Sequence, residues 1–291
     1  MKLKIAIIGS GAFGLTAAIK LSQIKNSNIV VFEQHNKPFY GATYANHNRH
    51  HYGFHYPKSQ LTIDQINKSK KEFESEYFKA CRFDFKNFYA ISNESKNVTS
   101  QKYENFLDKN KLIYHKVKVD NKIFNNKKIA SVYEVQEGIY DFDIFRKKIL
   151  SNLKDTRVEI KTKHELIKIN KKKSSYNLSF NYNGKIISDS FDVVINATYS
   201  NINKIISMLE MTNINLEYNL QELAIISFKK CKRIGVTIMD GNYPSILPFG
   251  NTNFHLFAHV VESQLIKENF KNNNLFQKNY ITTNFTNTIN Q

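Results

Sequence analysis

The sequence has little cysteine, no long apolar run and a shortage of acidic residues. Its two cysteines, Cys81 and Cys231, lie far apart and form no CxxC pair. Such sparse use fits a reducing compartment, and the expected location is the cytoplasm. No stretch reaches the ~20 apolar residues that a membrane span needs, so no stable membrane insertion is expected. The opening "MKLKIAIIGSGAFGLTAAIKL" sets Lys2 and Lys4 before an apolar run, in the manner of an export signal. Three glycines break that run and a strand pattern follows, so the segment reads as part of the fold. Acidic residues number 25 against 42 basic ones, a formal charge of +17. A surplus of this size raises nucleic-acid binding. The excess is mostly dispersed lysine, accompanied by much asparagine and isoleucine, and its runs (Lys171-Lys172-Lys173, Lys229-Lys230) are short. That is the mark of compositional bias, and no nucleic-acid partner is expected.

What is present is globular in character: 291 residues, 41% hydrophobic and 13% aromatic, enough for one large domain or two intertwined ones. "KIAIIG" (4–9) is an apolar, branched run suited to a strand buried on both faces. It leads into Gly9-Ser10-Gly11-Ala12-Phe13-Gly14, after which Leu15, Ala18, Ile19 and Leu21 form a helical stripe. "NIVVFE" (28–33) is a second buried strand ending on Glu33. Each position has a physical task. Gly9 permits the tight turn, Gly11 lets a pyrophosphate approach the backbone, and Gly14 lets helix and strand pack closely. The helix N-terminus offers unpaired N–H groups and a positive dipole end. Glu33, 19 positions beyond Gly14, is placed to accept the hydroxyls of an adenosine ribose. A carboxylate there repels a 2′-phosphate, which favours FAD or NAD over NADP.

A nicotinamide dehydrogenase continues with further βα units. Here the chain runs instead into "QHNKPFYGATYANHNRHHYGFHYP", a long segment with neither helical nor strand periodicity. Long irregular segments in compact proteins are often functional. His47, His51 and His55 recur at four-residue spacing and would share a helical face as metal ligands do. Gly53, Pro57 and the aromatics argue against a helix, and no carboxylate or cysteine is near, so no metal is expected. Residues 60–80 have helical spacing, with Ser59 or Thr62 as cap. "DFKNFYAIS", "LIYHKVKV" and "IASVYEV" read as strands, and Asn183-Gly184 marks a hairpin. "DVVINAT" (192–198) is another buried strand, and two strands flank "MDGNYPSILPFG", with turns at Asp240-Gly241 and Phe249-Gly250-Asn251.

"IAIIGSGAFGLTAAIKL…VVFE", "GATYAN" and "FDVVINAT", in that order, resemble the FAD-dependent oxidoreductases of the D-amino-acid oxidase superfamily. "VQEGIYDFDIFRKKILSNL" (135–153) is similar to the family's segment leading into the helix before the sheet with "FDVVINAT". The resemblance implies an α/β fold. A Rossmann-like FAD-binding domain would span 1–80 and 138–205, with an antiparallel β-rich substrate domain inserted at 81–137 and 206–263. A polar tail (264–291) lacks the glycine-rich loop that the family carries at that point. Gly9, Gly11, Ala12, Phe13, Gly14, Glu33 and Gln34 would hold the ADP half of FAD. Ala42, Thr43 and Asn46 would line the pyrophosphate and flavin, and Ala197 and Thr198 the adenine side. Tyr199 stands where the family has glycine. Arg49, His51, His55 and Tyr56 are the candidate catalytic residues, in contact with flavin or substrate. Arg233 and Tyr243, with His255, are candidates to face the substrate.

The reaction implied is hydride removal from a C–H bond beside an amine or hydroxyl, in a small amine, hydroxy acid or sugar derivative. Two alternatives stay open. "HHYGFHYPKS" also resembles a segment of UDP-galactopyranose mutases, which would make the substrate a sugar nucleotide. A degenerate, non-catalytic flavoprotein fold is the other.

Overall fold

The computed structural model describes residues 2–228, 233–239 and 241–270. The apolar runs at the start form strands β1 (Leu3–Ile8) and β2 (Ser27–Phe32), joined by helix α1 (Ala12–Leu21). The irregular segment contains only the two-residue strand β3 (Arg49–His50) before α2 (Gln60–Tyr77), which Ser59 caps by accepting the Thr62 N–H. There follow β4 (Cys81–Arg82), β5 (Lys86–Ser92), α3 (Ser100–Lys109), β6 (Tyr114–Val117), β7 (Ile129–Val135) and β8 (Gly138–Tyr140). Helix α4 (Phe142–Lys154) leads to β9 (Glu159–Lys161), β10 (His164–Lys171), β11 (Tyr176–Tyr182), β12 (Lys185–Phe191) and β13 (Val193–Asn196). The rest comprises α5 (Ile202–Ser207), β14 (Leu216–Gln221), β15 (Ala224–Ser227), β16 (Ile234–Met239), β17 (Pro244–Pro248), β18 (Phe254–His259) and β19 (Gln264–Phe270), the last paired with β14.

The described residues form two compact units. One comprises residues 2–46, 146–219 and 266–270, the other 47–145 and 220–265. In the first unit β13, β1, β2 and β9 make a parallel sheet in that order. Side chains alternate across it. Ala6, Ile8, Val30 and Phe32 pack on the antiparallel meander β10–β11–β12, where the Phe32 ring stacks on Phe180 at 4.0 Å between centroids. Ile5, Ile7, Ile29 and Val31 point the other way, the side on which α1 buries Leu15 and Ala18. Both faces are therefore covered, which is why the buried parts of these strands, Ile5–Ile8 and Ile29–Phe32, are apolar. Asn183 and Gly184 take φ of 51° and 82°, the paired left-handed values of a two-residue hairpin turn.

The second unit is built on a seven-stranded sheet, β15-β18-β17-β16-β5-β7-β6. Its face bearing Tyr89, Ile91, Tyr133 and Val135 packs against Tyr103 and Leu107 of α3, and the opposite face buries Phe88, Ala90, Val132 and Val236. The expected antiparallel pattern holds for every neighbour except β16 on β5, which run parallel because the two strands come from separate chain segments. Between the two turns expected in "MDGNYPSILPFG" lies a further strand, β17, and Asp240 lies outside the described residues. Residues 47–80 and 138–145, grouped by the sequence with the N-terminal strands, pack in this second unit. The cause is long-range strand pairing, since β3 and β4 both hydrogen-bond to β8.

Candidate functional site

In the first unit the turn after β1 leaves no room for a side chain at Gly9 or Gly14. Gly9 has φ +104°, and a Cβ there would lie 2.5 Å from the Ala197 carbonyl oxygen. A Cβ on Gly14 would lie 2.0 Å from the Gly9 carbonyl oxygen. Helix α1 begins without a side-chain cap and without an acidic residue in its first turn, and Phe13 is 85% exposed. The Ala12 N–H donates to Thr43 Oγ1 at 3.1 Å, and the Asn46 amide donates to the carbonyls of Ala42 and Thr43. Ala12, Ala42, Thr43 and Asn46 are thus brought to one helix end, beside Gly9 and Ala197. Glu33 ends β2 buried, accepting from Ser10 Oγ at 2.6 Å, the Ser10 N–H at 3.2 Å and the His35 N–H at 2.9 Å. A carboxylate has about four acceptor sites, so one stays open to a ligand hydroxyl. Gln34 is exposed next to it, and Thr198 turns back on Asn196. Tyr199, where the family's glycine was noted, adopts the left-handed φ of 54° that favours glycine.

In the second unit the histidine-rich segment is organised around one buried ion pair. Register sets it: β3 pairs Arg49 with Ile139, two positions beyond Glu137. The Arg49 side chain is 6% exposed and the Glu137 carboxylate 0%. Arg49 donates to Tyr89 Oη at 2.5 Å and to Thr237 Oγ1 at 3.0 Å, and approaches Glu137 at 3.5 Å. Tyr89 in turn donates to Glu137 at 2.5 Å, and the Tyr52 N–H at 2.9 Å. His51 Nδ1 lies 3.5 Å from the same carboxylate, an ion-pair distance without hydrogen-bond geometry. Its ring packs on those of Tyr56 and His55, at 5.0 and 5.9 Å. Residues 55–59, Val98 and Met239 line a cavity of about 180 Å³. Beside this lies a second cluster, in which His50 and Tyr52 share the Glu74 carboxylate.

These placements shift titrations. Burial alone would raise the Glu137 pKa, but the His51 ring, the Arg49 charge and the Tyr89 hydroxyl outweigh it and hold it at about 2. Burial would lower that of Arg49, yet Tyr89 and Glu137 raise it above the usual value. Burial, then the charges of Arg49 and His51, lower His47 to about 4. The same three causes lower His55, although that residue is partly open to solvent. All these carboxylate and imidazole shifts are downward, so the unfolded chain binds more protons than the folded one as pH falls. Stability is expected to be complete above the ordinary histidine value of 6.5. It declines as His47 charges between 6.5 and about 4, and again as Glu137 takes its proton between 4.5 and about 2. At about 1.4 kcal/mol per unit, the Glu137 window accounts for roughly 3 kcal/mol. Urea midpoints measured from pH 8 downward test this, and a flat or rising midpoint contradicts it.

The remaining expected site residues are elsewhere in the second unit. Arg233 donates to the carbonyls of Thr252 and Gly250, both at 2.8 Å, and so holds the turn between β17 and β18. Tyr243 hydrogen-bonds Ser92 and Glu94. His255 is 2% exposed, and neither ring nitrogen has a partner among the described residues. The fork of Arg233 is thus filled by main chain. Conversely, Glu137, Tyr89 and Thr237 were not read from the sequence as site residues. The available signal was an acidic residue closing the apolar strand β7.

Residues 4–240 match the family described as FAD dependent oxidoreductase. The chain belongs to that family. Similar solved structures include glycine oxidase from Geobacillus kaustophilus, at 12% identity over 89% of this chain and 71% of that one, with a TM-score of 0.69. L-proline dehydrogenase from P. horikoshii is 14% identical over 89% and 70%, again at 0.69. L-alpha-glycerophosphate oxidase from Mycoplasma pneumoniae, solved with FAD bound, is 17% identical over 93% and 73%, at 0.71. At these identities the likeness establishes the fold. No curated protein sequence is detectably similar.

The protein is therefore an FAD-dependent oxidoreductase with a Rossmann-like α/β fold. The first unit of this flavoenzyme fits its cofactor: the close-packed glycines of the turn, a helix whose N-cap residue Gly11 has no side chain, and the open acceptor site on Glu33 suit a pyrophosphate and a ribose. Among the described residues no helix is long and apolar enough to cross a membrane.

Proposed function

We propose that the first unit holds FAD and the second binds a small substrate that is oxidised at a C–H bond beside an amine or hydroxyl. Gly9, Gly11, Gly14 and Glu33 would hold the ADP half of the cofactor. Ala12, Phe13, Gln34, Ala42, Thr43, Asn46, Ala197 and Thr198 complete that surface. FAD, when bound, would supply the two-electron acceptor for a hydride, so that a substrate carbon–oxygen or carbon–nitrogen single bond becomes a double bond. The chain has to take the proton from the hydroxyl or amine. The observation that carries the reading is His51, half-buried, with Nδ1 against the Glu137 carboxylate and its ring against Tyr56 and His55 at the cavity wall. A base oriented by a third group is the arrangement that proton abstraction needs. A cavity of about 180 Å³ suits a small molecule. Arg49 and Glu137 together form a fixed, buried charge pair behind His51.

The test is anaerobic mixing of the purified yellow protein with amines, hydroxy acids and sugar alcohols, followed by visible absorbance. Bleaching by members of one class is expected. A flavin that dithionite reduces but no amine or hydroxyl compound does would overturn the reading. With a reducing substrate in hand, His51→Gln should slow flavin reduction by about 10²- to 10⁴-fold while FAD content is unchanged. Stopped-flow traces provide that comparison.

A further inference from the structure

We infer that Glu137 is the positioning residue for His51: it fixes the ring with the proton on Nδ1 and leaves Nε2 as the accepting atom. This rests on His51 being the proton acceptor proposed above. The carboxylate is itself immovable. Its oxygens are held by Tyr89, Tyr52 and Arg49, and the Asn87 amide donates to the Glu137 main-chain carbonyl at 2.9 Å. The next residue, Gly138, has no space for a side chain, since a Cβ would lie 2.6 Å from the Arg82 carbonyl oxygen and 2.7 Å from the Phe83 ring. The backbone that follows the carboxylate is thus held in place.

His51 Nδ1 is sealed from solvent and faces this carboxylate, while 29% of the side chain stays exposed. An ionised carboxylate can only accept hydrogen bonds. A neutral ring with its lone pair on Nδ1 would set two acceptors against each other with no water between them. A ring with its proton on Nδ1 satisfies both groups after a small rotation about Cβ–Cγ. The second tautomer also carries the Nε2 lone pair, the only one that can accept a proton from a substrate. Arg49 works one step further back: together with the His51 ring, its charge keeps Glu137 ionised.

The experiment is nitrogen–proton multiple-bond correlation on FAD-loaded protein with isotope-labelled histidine. It is recorded at about pH 8.5, above the ordinary histidine range, with His51 assigned from His51→Gln. The wild-type ring is expected with its proton on Nδ1. In Glu137→Gln an amide can offer oxygen to only one of the two sides, and the His51 pattern should shift toward the other tautomer or a mixture. Glu137→Asp, which keeps a carboxylate, should restore it. Finding the wild-type proton on Nε2, or no change in a folded Glu137→Gln protein, overturns the inference. If Glu137→Gln fails to fold, the wild-type spectrum alone decides.

Kinetics separates this from the reading on which it rests. With a substrate that bleaches the flavin, Glu137→Gln should lower the reduction rate by about 10²- to 10⁴-fold, the order seen when a histidine base loses its orienting carboxylate, with little change in KM. Unimpaired reduction in Glu137→Gln sinks the positioning role only. A flavin that no substrate reduces sinks the oxidation reading and leaves the tautomer result standing.

Discussion

Alanine at Gly14 is expected to abolish FAD loading. The added Cβ would sit 2.0 Å from the Gly9 carbonyl oxygen, 3.1 Å from its carbon and 3.3 Å from Ala197 Cβ. None of these is the free end of a flexible side chain. Two are main-chain atoms of the turn that ends β1, and the third belongs to the segment leaving β13. Relief therefore requires α1 to lift from the sheet, and its N-terminus moves with it. The N–H groups there, with the Gly9–Gly11 backbone, are the donors that a pyrophosphate would use. Overpacking of this kind costs about 1–3 kcal/mol. In a protein of this size that is several degrees of melting temperature at about 2–4 °C per kcal/mol. The loss of flavin should be larger than the loss of stability, because affinity depends on the donors converging. Visible absorbance per mole of purified protein should fall at least tenfold. Gly41→Ala is the control, since a Cβ there meets nothing within 4 Å and the apoprotein should melt unchanged. A Gly14→Ala protein that folds and keeps stoichiometric flavin would refute the cradle.

That turn was legible in the sequence because its constraints are local. A strand buried on both faces, three glycines and an acid at the next strand's end all fall within 33 residues. Each answers to chain geometry rather than to a distant partner. The helix cap at Ser59 and the Asn183-Gly184 hairpin were legible for the same reason. The second unit was not. Arg49 and Glu137 are 88 positions apart, and their meeting depends on β3 pairing with β8 and on β5 lying beside β7. A two-residue strand such as β3 has no periodicity to detect. Arg233 was read as a carboxylate clamp because arginine's fork suits that task, yet two backbone carbonyls fill the fork equally well. Likewise the parallel contact of β16 with β5 is a fact of sheet order, which strand patterns do not encode. Local chemistry announced the cofactor, whereas the residues around His51 became visible only through long-range register.

The second large effect is expected at that register-built pair. Glu137→Leu leaves the Arg49 guanidinium, 6% exposed, without its counter-charge. Breaking a buried pair from one side costs about 3–5 kcal/mol, a large share of the roughly 5–15 kcal/mol that holds a typical domain together. Arg49→Met should be comparably damaging at neutral pH, since it strands the carboxylate. Yet the double variant Arg49→Met/Glu137→Leu should recover most of the loss, because removing both charges also removes their desolvation cost. Recovery should stay incomplete, as Tyr89, Thr237 and the Tyr52 N–H each lose a partner. Urea unfolding of the four proteins completes the cycle, and a coupling below about 0.5 kcal/mol would mean that the ion pair is incidental. The two single variants should also differ in their response to acid. In Arg49→Met the stranded Glu137 can escape by taking a proton, so its deficit relative to wild type should shrink as pH falls. In Glu137→Leu no such escape exists, because arginine keeps its charge throughout the accessible range. Its deficit should persist at every pH at which wild-type Glu137 remains ionised, down to about 2.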